Sequence, residues 1–141
     1  MKRILVGVDG SKESRDAARW AVELAQATGA QVTVATSVFL PAALAAPELM
    51  TRAKAWEDEE KASAASLVKD IASIFARSGV AIETLVTNGS PAEKLAELAE
   101  SGAVDLVVVG HRGRGSVARF LMGSVADRLV QISTKPVLVV R

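Results

Sequence analysis

The sequence predicts an α/β domain built on an open, parallel five-stranded sheet with helices on both faces. Three observations carry that prediction. Short β-rich apolar runs alternate with longer amphipathic segments in the order β-α-β-α-β-α-β-α-β, the pattern of right-handed crossovers on a parallel sheet. Half of the residues are apolar, yet there are only three Phe, two Trp and no Tyr. The core must therefore be aliphatic, the composition of strands buried on both faces. Finally, the 141 residues contain no repeat, low-complexity tract or linker, so residues 1–141 read as one domain.

The elements follow in order. Ile4 to Val8 reads as a buried strand, closed by Asp9-Gly10. Ser11 is a candidate N-cap for a helix from about Lys12 to Thr28, and Gly29 stops it. Glu13 and Asp16 place negative charge near the positive end of that helix dipole. Gln31 to Phe39 is the second strand. Leu40 to Met50 contains two prolines and reads as a loop, either a plain connector or a lid beside a ligand. A long helix follows, roughly Thr51 to Ser78, with Leu67, Ile71, Ile74 and Phe75 on its apolar face. Its acidic run Glu57 to Glu60 fans around the axis and reads as a solvated face, not as a metal site.

Val80 to Thr87 alternates and reads as an edge or near-edge strand. After the Asn88-Gly89 turn, Ser90, Pro91 and Glu93 spell a capping box with proline at N1. Leu95, Leu98 and Ala99 then form a short helix ended by Gly102. Val104 to Val109 is the fourth strand, interrupted only by Asp105. Beyond the loop Gly110 to Ser124, a helix runs from about Ser124 to Ser133. Lys135-Pro136 breaks it, and Val137 to Val140 is the last strand.

Composition excludes several classes of function. Seventeen basic against sixteen acidic residues leave a net charge of +1, too little to steer the chain to nucleic acid or to a membrane surface. There is no cysteine, which removes disulfides, zinc thiolates and cysteine nucleophiles. No signal peptide is visible, and no apolar run reaches the ~18 residues that a membrane span needs. The expectation is a soluble cytoplasmic protein.

The informative stretch is Gly110 to Ser124, G-H-R-G-R-G-S-V-A-R-F-L-M-G-S, with four glycines, three arginines, one histidine and no carboxylate. Such a loop, between a strand and a helix, presents backbone N–H groups and positive charge to an anion, above all a phosphate. It lacks the lysine of a Walker loop. Gly113-x-Gly115-x-x-Ala118 matches the loose dinucleotide fingerprint, but the helix opens too late and no acidic residue ends the next strand. In open sheets ligands bind at the carboxyl ends of strands where the order reverses. Asp9, at the end of the first strand, therefore belongs to the same site as the loop. His111 reads as a loop histidine, since no partner for it is visible. Arg112 and Arg114 are the candidate phosphate contacts among the arginines.

The glycine spacing Gly110-x-x-Gly113, nine residues, then Gly123-Ser124 resembles the universal stress protein family. The ATP-binding branch of that family carries G-x-x-G-x9-G-[ST]. V-G-V-D-G-S near the start and K-P-V-L-V-V at the end extend the resemblance over the whole chain. It implies strand order 3-2-1-4-5 in a Rossmann-like, adenine nucleotide alpha hydrolase-like fold. It implies that Asp9 contacts the nucleoside near the ribose, after the apolar Val8, and that the backbone of Val38 pairs with adenine. Gly110, Gly113, Gly123, Ser124 and Val125 match its ribose and phosphate positions. It also implies a homodimer through the strand 137–140. No nucleophile, convergent carboxylate pair or poised base is recognisable, so the expectation is a binding and switching module, with ATP and Mg²⁺ as cofactor, an unknown protein partner and at most slow hydrolysis. The alternative is a nucleotide-independent structural homodimer. An adenylate-forming or pyrophosphatase enzyme on a related fold would need S-G-G-x-D-S after the first strand, where this chain has D-G-S-K.

Overall fold

Five strands pair in parallel, in the order β3-β2-β1-β4-β5, to form one sheet. The structure is a computed structural model that describes residues 1–113 and 122–141. The strands are β1 Arg3–Gly7, β2 Gln31–Val38, β3 Ile82–Asn88, β4 Leu106–Gly110 and β5 Val137–Val140, and the helices are α1 Lys12–Thr28, α2 Met50–Ile74, α3 Pro91–Ser101 and α4 Ser124–Ile132. The expected strand order and the helices on both faces are both present.

The apolar strands are continuous because both of their faces are covered. Ile4, Val6, Val32, Val34 and Val108 pack under α1 and α2. Leu5, Ala35, Val107 and Val109 alternate with them and pack under α3 and α4. Helix α1 comes close to the sheet because its inner face is alanine: Ala17, Ala18, Ala21 and Ala25 are all at most 1% exposed. Ser11 caps it as expected, accepting the Ser14 N–H at 3.1 Å, and Gly29 ends it with a left-handed φ of 78°.

Several boundaries differ from the sequence reading, each for a local reason. Two short 3-10 turns, Ala42–Leu44 and Pro47–Leu49, occupy the proline-containing segment that reads as a loop. Helix α2 ends at Ile74, short of Ser78, in turns through Phe75 and Ser78. Its buried face is Ala64, Val68 and Ile71, with Leu67 and Phe75 partly buried beside them, whereas Ile74, expected on that face, turns outward and is 65% exposed. The acidic run lies on the solvated side, in Lys54–Asp58 and Glu57–Lys61 pairs. Strand β4 begins after Asp105, whose carboxylate accepts the backbone N–H groups of Lys2 at 2.6 Å and Arg3 at 3.0 Å. Those two bonds hold its pKa below the usual 3.8. The charge that interrupts the apolar run thus fastens the start of β1 beside β4.

Candidate functional site

The sheet order puts β1 beside β4, so the chain leaves these two neighbours in opposite directions and opens a crevice at their carboxyl ends. A cavity of about 450 Å³ lies there, within the usual size range of small-ligand sites. Its apolar part is built from Gly7, Ala35, Leu95, Leu98 and Val109. Its polar rim divides in two. On one side are Ser37, Thr87 and Lys94, at the ends of β2, β3 and the start of α3. On the other are Asp9, Arg112, Gly113 and Ser124. Asp9 is the one carboxylate among the described lining residues.

Asp9 is held by local geometry. Its Oδ1 accepts the Ser11 N–H at 2.9 Å, which shapes the turn into α1, and Gly10 completes that turn with a φ of 89°. The loop then comes against it: a Cβ on Gly113 would lie 2.5 Å from Asp9 Oδ2. The ends of the loop also meet each other. The Gly123 N–H donates to His111 O at 2.6 Å, and the His111 N–H donates to Val140 O at 2.7 Å. This neck fixes where α4 starts. The first helical bond of α4 is Asp127 N–H to Gly123 O, so the N–H groups of Ser124, Val125 and Ala126 precede it and have no partner within the helix. All three residues line the cavity. A helix N-terminus of this kind carries about +0.5 of an elementary charge and attracts anions.

The structure thus brings Val8, Asp9, Gly110, Arg112, Gly113, Ser124 and Val125 to the cavity. Gly123 stands behind them as the N-cap of α4, against the backbone of residues 111–113. Val38 is not among the described lining residues; its side chain is 7% exposed and its carbonyl accepts the Gly89 N–H at 2.9 Å. No residue of the 40–50 segment lines the cavity either. Arg114, Gly115 and Arg119 lie outside the described residues, as does most of the dinucleotide-like match. Gly110 has a role beyond ligand approach, because a Cβ there would lie 2.8 Å from the backbone carbon of Glu13. Its lack of a side chain lets β4 pass under the first turn of α1.

Sequence reasoning missed Lys94, Leu95 and Leu98 as cavity residues. Their signal was positional: they follow the Ser90-Pro91 helix start at one-turn spacing. It also read Ser90 as a reciprocal cap. In the structure Ser90 makes no side-chain bond to the backbone of α3. Instead Glu93 interacts first with the Ser90 side chain and then with Arg128 of α4, and these hold its pKa down at about 2 against an ordinary 4.5. The Arg128 Nε–H donates to Glu93 Oε1 at 2.9 Å, joining the two helices that wall the cavity. A depressed carboxyl stabilises the fold above its unfolded value and loses that effect as pH falls through its folded value. The melting-temperature gap between the natural chain and Glu93→Gln should therefore be full at neutral pH and close between pH 4.5 and about 2. A gap that persists at the acid end of a thermal-melt series would contradict this.

The comparisons agree with the geometry. The model of the "Universal stress protein family" matches residues 1–141. Universal stress protein MJ0531 of Methanocaldococcus jannaschii is 36% identical over 146 residues, covering 99% of this chain and 82% of that protein. Universal stress protein YxiE of Bacillus subtilis is 32% identical, covering 99% and 98%. Among solved structures, the universal stress protein UspA from Lactobacillus plantarum superposes with a TM-score of 0.91 at 28% identity, over 99% of this chain and 97% of that one. A universal stress protein solved in complex with cAMP is also 28% identical, with a TM-score of 0.75 and coverage of 99% and 96%. With the family model spanning its whole length, this chain belongs to the universal stress protein family.

Proposed function

We propose that this chain binds an adenine nucleotide, ATP with Mg²⁺ foremost, in the crevice between β1 and β4, and acts as a nucleotide-dependent switch rather than as an efficient enzyme. One observation carries the reading. An apolar slot, a carboxylate and the open first turn of α4 meet in one cavity of about 450 Å³. The slot under Leu95 and Leu98 suits a flat base, Asp9 suits ribose hydroxyls, and the N–H groups of Ser124 to Ala126 suit phosphate oxygens. Glycine at 110 and 113 lets backbone come close to the ligand. The related structure with bound cAMP supports an adenine ligand. Mg²⁺ would arrive on the nucleotide phosphates, with Asp9 the described carboxylate nearest to hand. We assign the site no more than slow hydrolysis. Equilibrium titration with ATP tests the reading: micromolar affinity, about −8 kcal/mol, is expected, and no binding at millimolar nucleotide would end it.

The outer edge of the sheet favours a second, compatible role. Among the described residues strand β5 pairs with β4 alone, and Val137, Leu138 and Val139 remain partly exposed. An apolar edge of this kind invites pairing with another strand. The expected species is a homodimer joined through residues 137–140. A monomer mass by light scattering at micromolar concentration would refute it.

A further inference from the structure

We propose that Glu13 is a positioning residue for Arg112: it sets the guanidinium so that its buried Nε–H meets an anionic oxygen of the bound ligand. The proposal rests on the nucleotide-binding reading above and concerns how that site holds charge. Glu13 stands in the first turn of α1, on the opposite face of the sheet from the cavity helices, and Arg112 stands at the root of the glycine loop. They are 99 residues apart in sequence, and Arg112 Nη2–H donates to Glu13 Oε1 at 3.0 Å. Their side chains are 28% and 21% exposed, which makes this the most enclosed ion pair among the described residues. The other pairs sit largely in solvent, where such contacts hold little geometry.

The enclosed pair leaves one group unaccounted for. Arg112 Nε is buried and has no hydrogen-bond partner among the described residues. A guanidinium has five N–H donors and no acceptor, and a buried donor without a partner is costly. The acceptor missing at Arg112 is what a phosphate supplies, and charge-assisted pairing of guanidinium with phosphate is the strong form of such a bond. Arg112 lines the cavity, and a Cβ on Gly123 would lie 3.1 Å from its Cα, so it stands beside the start of α4. Glu13 itself is not among the described lining residues. It therefore acts through Arg112, occupying one nitrogen so that the guanidinium cannot swing out to solvent.

The test titrates the full-length chain with ATP, AMP and adenosine by calorimetry, alongside thermal melts. The variants are Glu13→Ala, Glu13→Gln, Arg112→Ala and the double alanine variant. Glu13→Ala should weaken ATP and AMP about tenfold, the scale of one charge-assisted hydrogen bond, and leave adenosine within about twofold. Glu13→Gln should recover most of the loss, because its amide oxygen still accepts from Nη2. Adding Glu13→Ala to Arg112→Ala should change nothing further. The proposal is overturned if Glu13→Ala binds ATP as well as or better than the natural chain. It is equally overturned if ATP and adenosine weaken together while the melting temperature falls, since Glu13 would then only brace α1. Failure of the natural chain to bind ATP removes the nucleotide reading and this role with it; normal ATP binding with an indifferent Glu13→Ala removes this role alone.

Discussion

Gly113→Ala should weaken nucleotide binding about a hundredfold while the chain stays folded. The added Cβ would lie 2.5 Å from Asp9 Oδ2, closer than carbon and oxygen can approach. Asp9 cannot easily yield, because its other oxygen holds the Ser11 N–H that opens α1. The loop must yield, and residue 113 would then move away from the cavity it lines. The conflict lies at the surface end of the strands, away from both apolar clusters, so the melting temperature should change little. ATP affinity should fall by roughly two orders of magnitude, about 3 kcal/mol, and the dimer should persist. Calorimetry and light scattering on one sample test both parts. A Gly113→Ala chain that binds ATP normally would show that this contact does not shape the site.

Gly110→Ala should act in the opposite way, on the fold before the ligand. Its Cβ would meet Glu13 backbone carbon and Cβ at 2.8 Å and Glu13 O at 2.9 Å. Helix backbone cannot rotate aside as a side chain can. Helix α1 would have to lift from the sheet, and its alanines at 17, 18 and 21 are packed at 0–1% exposure. Overpacking of this kind costs about 1–3 kcal/mol, a fall of roughly 4–12 °C in Tm for a domain of this size. Gly110→Val should cost more. A Gly110→Ala chain that melts with the natural one would mean that α1 can shift freely. Comparing the two glycines separates a position that shapes the ligand site from one that also supports the scaffold.

Much of this was legible in the sequence, because the signals are local. Alternating apolar runs and the glycine stops at 29 and 102 mark the elements, and the buried strands carry no partner-dependent residues. Helix α1 was bounded correctly because Ser11 and Gly29 act within one turn of its ends. What was hidden depends on residues far apart in the chain. Asp105 looks like a flaw in β4 until the N–H groups of Lys2 and Arg3 come to it. Glu93 reads as half of a cap until Arg128 arrives from α4. Glu13 reads as a charge for the helix dipole until Arg112 is beside it. Gly110 reads as a phosphate glycine, and only the packing of α1 reveals its second constraint. The strand order came from the resemblance, since alternation alone fits more than one order of parallel strands.

The bond from Gly123 N–H to His111 O is one of two that meet at a single residue, because the His111 N–H donates in turn to Val140 O. The end of β4, the N-cap of α4 and the end of β5 are thus tied together by backbone groups alone. No side chain takes part, so replacing His111 leaves the tie in place and the N-terminus of α4 keeps its station beside the crevice. The outer edge of the sheet and the ligand site are mechanically joined at that one point.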